Sequence, residues 1–491
     1  MNPLKKLFKQ TFVYGLATVL PRMLSFILVP LYTSVMAPGL FGKLSVIFAW
    51  FAIFNVVLAY GMETAFFRFY SKSKEKNKVV STSLISILVT TGAFICIGFV
   101  FFESLSELLE VDKKYLGYVL LILALDALVV VPFAWLRANE KPMRYAVVKI
   151  LNVGINLGLS IFFLVMLPSF VEGNSDGILS SLYKPNFQIS YIFIANVTAS
   201  GVTLLLMSEL YRKTNWFFDK ALWKKMMQYA MPVMVAGMAF SINEVFDRIL
   251  LEKLLPEDVS EAKVGMYSAC YKIALFMTLF ATAFRMGIEP FFFNHSNSEN
   301  PQKAYAQITN YFVVLGSIIL LGVVVYADIL KIIIVRDPAY WEAMPIVPII
   351  VLASFFLGIY HNLSVWYKVT DRTKFGAYIS IIGAILTIII NVVFIKYFEY
   401  MASAIATLVA YGSMMFLSFY FGRKHYPIPY NFRKIGFYLL LSISFSGIAF
   451  YGFDRNLIVG NILLAIFLGL LYKLENDNLR KVFLKNGNKD N

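Results

Sequence analysis

Runs of apolar residues about twenty long, each closed by a short polar segment, recur along the whole chain. They fall near 11–34, 42–65, 82–102, 115–136, 144–168, 187–208 and 225–247, and again near 264–287, 304–326, 344–366, 377–395, 400–419, 435–451 and 456–472. Within each run the apolar positions are continuous and do not alternate as they would in a barrel strand. A helix of this length, rising about 1.5 Å per residue, crosses a hydrocarbon core of ~30 Å. The pattern predicts an all-α polytopic membrane protein with about fourteen spans.

Composition agrees. Of 491 residues 59% are hydrophobic and 15% charged, with a mean hydropathy of +0.70, whereas a soluble domain carries roughly 25% charged residues. Too little polar surface remains to hold the chain in water. Cys96 and Cys270 both lie in apolar runs and imply no disulfide framework. Zinc, Walker and dinucleotide-binding spacings are absent, so neither a metal nor a nucleotide cofactor is expected. No cleavable signal peptide is expected either, because the first run ends at Pro38-Gly39 and not at a small-residue cleavage site.

With both termini in the cytoplasm, the basic runs "RFYSKSKEKNK" (68–78) and "RKTNWFFDKALWKK" (212–225) fall inside. The acidic "FFESLSELLEVDKK" (101–114) then falls outside, as the positive-inside rule expects. Topology and anionic headgroups thus account for the net charge of +15 without nucleic acid.

Two short stretches echo one another. "GMETAFF" (61–67) closes the second run and "GIEPFFF" (287–293) the eighth; "WLRANEK" (135–141) follows the fourth run and "WYKVTDR" (366–372) the tenth. Matches in the same order at nearly the same offset suggest a six-helix unit used twice. Both copies start on the cytoplasmic side, so the repeat is parallel. The expected lobes are 1–215 and 216–430, followed by 431–491 with the last two spans and a basic tail. Two such lobes around a central cleft suit alternating access. Glu63 and Glu289 occupy the same place in the first echo; each is expected to pair with a cation and fix a helix end, with Arg68 and Arg285 as nearby candidates, or to serve gating or coupling.

Ionisable groups inside spans are costly and mark candidate sites. Arg22, preceded by Pro21, lies about 16 Å into the first span and is the clearest case: it faces substrate, pairs structurally with a group such as Asp126, or snorkels. Asp126 in the fourth span reads as its counter-ion, a coupling carboxylate or a protonated packing residue. Lys149 in the fifth span either faces substrate or snorkels; Asn152 and Asn156 continue its face as a polar stripe. In the seventh span "NEVFDR" supplies Asn243, Glu244, Asp247 and Arg248, with Glu244 and Arg248 spaced to pair locally. Lys272 and Arg285 stand in the eighth span, His361 in the tenth and Asn391 in the eleventh, where it is placed to bond across helices. Trp135, Trp341 and Trp366, at span ends, read as interfacial belt residues. Fixed cations at Arg22, Lys149, Lys272 and Arg285 outnumber the intramembrane acids, which favours an anionic group such as phosphate or pyrophosphate.

The opening "FVYGLATVLPRMLSFILVPLYTSVMAPGLFGKLSV" (12–46), the following "YGMETAFFRFY" (60–70) and the fourteen-span layout resemble the polysaccharide transporter family. These are the Wzx-type O-antigen and capsule flippases of the multidrug/oligosaccharidyl-lipid/polysaccharide exporter superfamily. The resemblance implies two six-helix lobes with cations lining a cavity, in the bacterial inner membrane. It implies transfer of an undecaprenyl-pyrophosphate-linked oligosaccharide from inner to outer leaflet, coupled to proton or sodium exchange. Lipopolysaccharide or other polysaccharide biosynthesis is the process implied, with membrane lipids, a polymerase or assembly proteins as partners. Arg22 matches a first-helix arginine of related lipid flippases; Met23 follows it where peptidoglycan-precursor flippases commonly carry an acid. Two alternatives stand beside this reading: a cation-coupled drug exporter of the same superfamily, which would favour acids in the cleft, and a membrane glycosyltransferase or ligase. The longest external insertion, 168–187, offers such an enzyme only Glu172 and Asp176, so no enzymatic activity is expected.

Overall fold

The computed structural model describes residues 26–173, 178–294 and 299–484. In chain order the helices are α1 (Phe26–Val35), α2 (Pro38–Ala59), α3 (Met62–Lys72), α4 (Lys76–Val100), α5 (Phe102–Leu109), α6 (Lys113–Ala138), α7 (Pro142–Ile161), α8 (Leu167–Gly173) and α9 (Gln188–Lys213). There follow α10 (Lys220–Leu254), α11 (Glu257–Tyr271), α12 (Leu275–Asn294), α13 (Pro301–Val325), α14 (Ala327–Ile334), α15 (Val347–Leu363), α16 (Val365–Val369), α17 (Lys374–His425), α18 (Phe432–Gly447) and α19 (Leu457–Leu484). Among the described residues no strand occurs, and twelve helical stretches are long and apolar enough to span a membrane. The expected eleventh and twelfth spans form the single 52-residue run α17, broken at Glu399 (φ 48°, ψ −133°). The first expected span is described only from Phe26 onward, as α1.

Local signals set the helix ends. Pro38 opens α2 in the first turn, where no N–H is needed. The Asp219 carboxylate accepts from the Leu222 N–H to cap α10, and the Asn431 side chain does the same for the Lys434 N–H in α18. The faces are apolar almost all round, as lipid permits. In Leu457–Glu475 only 11% of the most apolar window is buried within the protein, an exposure untenable in water and ordinary against acyl chains.

By contact the chain divides into two compact units. The first holds residues 1–269, 337–340 and 373–410; the second holds 270–336, 341–372 and 411–491. In the first unit Met62, Phe66, Leu84, Val131 and Met226 pack a fully buried core between α3, α4, α6 and α10. There too α2 and α11 cross backbone to backbone: a Cβ on Gly42 would lie 1.8 Å from the Glu261 carbonyl oxygen. The second unit corrects one expectation. Trp366 is 1% exposed and donates to the Ser418 carbonyl at 2.9 Å, so it is a core residue and not part of an interfacial belt.

Candidate functional site

The polar stripe expected on α7 has a partner. Tyr145, Lys149, Asn152 and Asn156 follow helical spacing on α7, and Asn196, Ser200 and Thr203 do so on α9. The stripes meet through Asn152 Nδ2 to Thr203 Oγ1 at 2.9 Å and Asn156 Nδ2 to Asn196 Oδ1 at 2.8 Å. From α6, Asp126 accepts from the Ser200 hydroxyl at 2.7 Å. Between α2, α3, α6, α7 and α9 this leaves a cavity of ≈ 370 Å³, lined by Glu63, Asp126, Lys149, Asn152 and Thr203 among others. Its size falls in the range typical of small-ligand sites.

The charges in this cavity are not equivalent. Glu63 is held by Arg137 of α6 at 2.5 Å, both about half-exposed. Asp126 has its hydroxyl donor. Lys149 rests its ammonium 4.2 Å from the Phe133 ring centroid, and among the described residues no carboxylate oxygen lies within 4.0 Å of it. A cation–π contact steadies an ammonium without cancelling its charge. Lys149 therefore faces the cavity with hydrogen-bonding capacity to spare, within electrostatic reach of Asp126 and Glu63.

The second unit carries a related arrangement. Glu289 of α12 pairs with Lys368 of α16 at 2.6 Å, and Arg285 Nη1 lies 3.4 Å from His361 Nε2. These side chains line a space of ≈ 10 Å³, near the volume that one water occupies. In the echoing motifs Glu63 corresponds to Glu289 and Arg137 to Lys368, so the two ion pairs join equivalent positions. The turns behind the cations match as well. Glu140 (φ 51°) and Asp371 (φ 56°) are both left-handed, and the Lys141 and Arg372 N–H groups reach back to the carbonyls of Leu136 and Tyr367 at 2.9 and 2.8 Å.

These pairings differ from the sequence expectation in their cations. Arg68 stacks over the Tyr229 ring at 4.3 Å, and the cations clasping the two glutamates come from distant helices. Their signal was present in the second echo, where "WLR" and "WYK" put Arg137 and Lys368 at the same place. The periodic Asn196, Ser200 and Thr203 on α9 offered a further signal.

The remaining candidates form other groups. Asn243 and Asp247, 2% and 1% exposed, belong to a buried network in the first unit. Asn243 accepts from Thr387 and donates to the Ser380 carbonyl, and Tyr267 donates to Asp247 at 2.5 Å. Arg248 reaches Asp247 Oδ1 at 3.0 Å and the backbone carbonyl of Glu244, whose side chain is exposed. Asn391 accepts from Ser403 beyond the Glu399 break, the expected bond across helices. Lys272 opens a short 3-10 turn, Lys272–Ala274, between α11 and α12. Arg22 lies outside the described residues.

The architecture is similar to that of solved membrane transporters. The lipid II flippase MurJ in its inward closed conformation superposes with a TM-score of 0.73 at 15% identity, covering 94% of this chain and 99% of MurJ. An inward-facing multidrug-resistance MATE transporter of the MOP superfamily gives 0.66 at 13% identity, covering 84% and 94%. A MOP-superfamily transporter from Pyrococcus furiosus, described as having a binding pocket of reversed polarity, gives 0.59 at 14%, covering 86% and 96%. At such identities the likeness is one of fold. The family profile described as "Polysaccharide biosynthesis protein" matches residues 7–296, and that described as "MatE" matches 228–393. The chain belongs to the polysaccharide biosynthesis protein family. No curated protein sequence matches it.

Proposed function

We propose that the protein is a flippase that carries an undecaprenyl-pyrophosphate-linked oligosaccharide, an O-antigen, capsule or exopolysaccharide repeat unit, from the inner to the outer leaflet of a bacterial cytoplasmic membrane. Family membership and a MurJ-like fold support the transport of a lipid-linked substrate. The observation that carries the reading at the site is Lys149, which has no carboxylate oxygen within 4.0 Å among the described residues and faces a cavity inside a membrane-spanning unit. An ammonium so placed gains most from an anion, and a diphosphate supplies one together with acceptors for the surrounding amide and hydroxyl donors. The polyprenyl tail stays in lipid while the head group changes leaflet by alternating access of two parallel six-helix lobes. Arg22, Lys272 and Arg285 are proposed as further cations on the head-group path. Asp126 is proposed as the coupling or counter-ion carboxylate, with a proton or sodium ion driving transport. Both termini are cytoplasmic in this reading, and a polymerase or assembly protein receives the product.

A second reading has its own support. The MatE profile and the MATE structures favour a cation-coupled drug exporter. Of the acids in the first-unit cavity, Glu63 fits that reading less well, because Arg137 already clasps it. Reconstitution separates the two. Proteoliposomes are loaded with a labelled undecaprenyl-pyrophosphate glycan or with a cationic dye, and translocation of each is followed. Glycan movement abolished by Lys149→Gln supports the flippase; dye export indifferent to that change supports the exporter.

A further inference from the structure

The two echoing heptapeptides share their glycine and glutamate and yet differ in backbone. In the first unit Tyr60 (φ 30°) and Gly61 (φ 72°) are both left-handed and break the span. The chain restarts as α3, with Gly61 as N-cap and the Ala65 N–H bonded to the Gly61 carbonyl at 3.1 Å. In the second unit Gly287 lies inside α12, which runs unbroken from Leu275 to Asn294. The glutamate–cation pair and the left-handed residue behind the cation match in the two units.

The unbroken copy has the sequence better suited to a break. Were a helix to start at Gly287, glycine would be its N-cap, Glu289 would sit at the second position beside the positive end of the dipole, and Pro290 would sit at the third. A proline there loses nothing, since the first N–H groups of a helix have no internal partner. In the continuous helix, by contrast, Pro290 has no hydrogen to offer the Met286 carbonyl, and Gly287 adds the freest backbone of any residue.

We infer that Gly287 is a latent hinge: α12 opens between Met286 and Gly287 into the broken form that Gly61 already displays, and this opening is a step of the transport cycle. Arg285 stands on one side of the hinge and Glu289 on the other. Opening therefore changes the spacing of Arg285 and His361 relative to the Glu289–Lys368 pair around their water-sized space. The hinge rests on backbone and sequence alone; its place in a cycle rests on the transporter reading.

A Cβ at Gly287 would meet nothing within 4 Å, so Gly287→Ala fits α12 as it stands and acts on the opening. Gly436→Ala in α18, equally unobstructed, is the control. Hydrogen exchange is measured on the full chain in lipid nanodiscs. The amides of Gly287, Ile288 and Glu289 should exchange faster than those of the turns before them, and Gly287→Ala should slow Ile288 and Glu289 about fivefold, the helix preference of alanine over glycine. Flux of a labelled undecaprenyl-pyrophosphate glycan into proteoliposomes should fall with it, while Gly436→Ala changes neither. Amides at 287–289 as protected as their neighbours, or indifferent to Gly287→Ala, would overturn the hinge. Slowed exchange with unchanged glycan flux would overturn its part in the cycle. Because exchange needs no substrate, a wild-type protein that moves no glycan would count against the function proposed above and leave the hinge standing.

Discussion

Lys149 and Asp247 show how one type of residue, a charge within a span, serves two ends. Asp247 is fully enclosed and takes donors from Tyr267 and Arg248, so it ties α10 to α11. Removing one member of a buried ion pair leaves its partner uncompensated, and Asp247→Ala should destabilise the protein by roughly 3–5 kcal/mol. Thermal unfolding in detergent checks this through a clear fall in midpoint. Lys149 makes no such contact ion pair, so Lys149→Gln should leave the midpoint within a few degrees and strike transport. Glu63 lies between these cases. Its bridge to Arg137 is half-exposed, and Glu63→Gln should cost no more than about 1 kcal/mol in the same assay.

At the scale of elements, backbone approach decides what a position tolerates. The α2–α11 crossing leaves no room at Gly42, where an added methyl would overlap the Glu261 carbonyl. At Gly61 a side chain would meet the Ala230 carbonyl oxygen at 2.4 Å in a left-handed conformation. Gly61→Ala and Gly42→Ala should both lower the yield of folded protein in size-exclusion profiles, whereas Gly154→Ala, with open space around it, should not. The two kinds of element signal were unequally legible. Spans announce themselves because lipid demands continuous apolar runs, and α4, α6, α9 and α13 lie where the pattern put them. The break inside α17 was read as a boundary between spans, which it is, although helical structure resumes at once beyond Glu399.

Partners across elements were harder to read. Sequence distance favoured Arg68 for Glu63, yet helix packing brings Arg137 from α6; only the second echo held that information. The cavity was half legible. Asp126, Lys149, Asn152 and Glu63 stood out as costly groups in apolar runs, while Ser200 and Thr203 did not, because hydroxyls are cheap in a helix and bond back to its own carbonyls.

For the whole molecule, orientation and cargo are the open physical consequences of the charge pattern. The basic linker 212–225 and the acidic segment 101–114 should lie on opposite faces. Single cysteines placed in each, in a background lacking Cys96 and Cys270, should react with an impermeant maleimide from opposite sides of sealed vesicles. The role proposed for Lys149, an ammonium with no contacting carboxylate in a membrane-embedded cavity, is to hold an anionic, lipid-linked cargo. Its most direct test is leaflet transfer of a labelled undecaprenyl-pyrophosphate oligosaccharide in proteoliposomes, comparing the wild type with Lys149→Gln and Lys149→Arg. The expected result is transfer by the wild type, a loss of at least about tenfold with glutamine, as for one lost charge-assisted bond, and partial recovery with arginine. Equal transfer by the wild type and the glutamine variant, with both proteins folded, would contradict it.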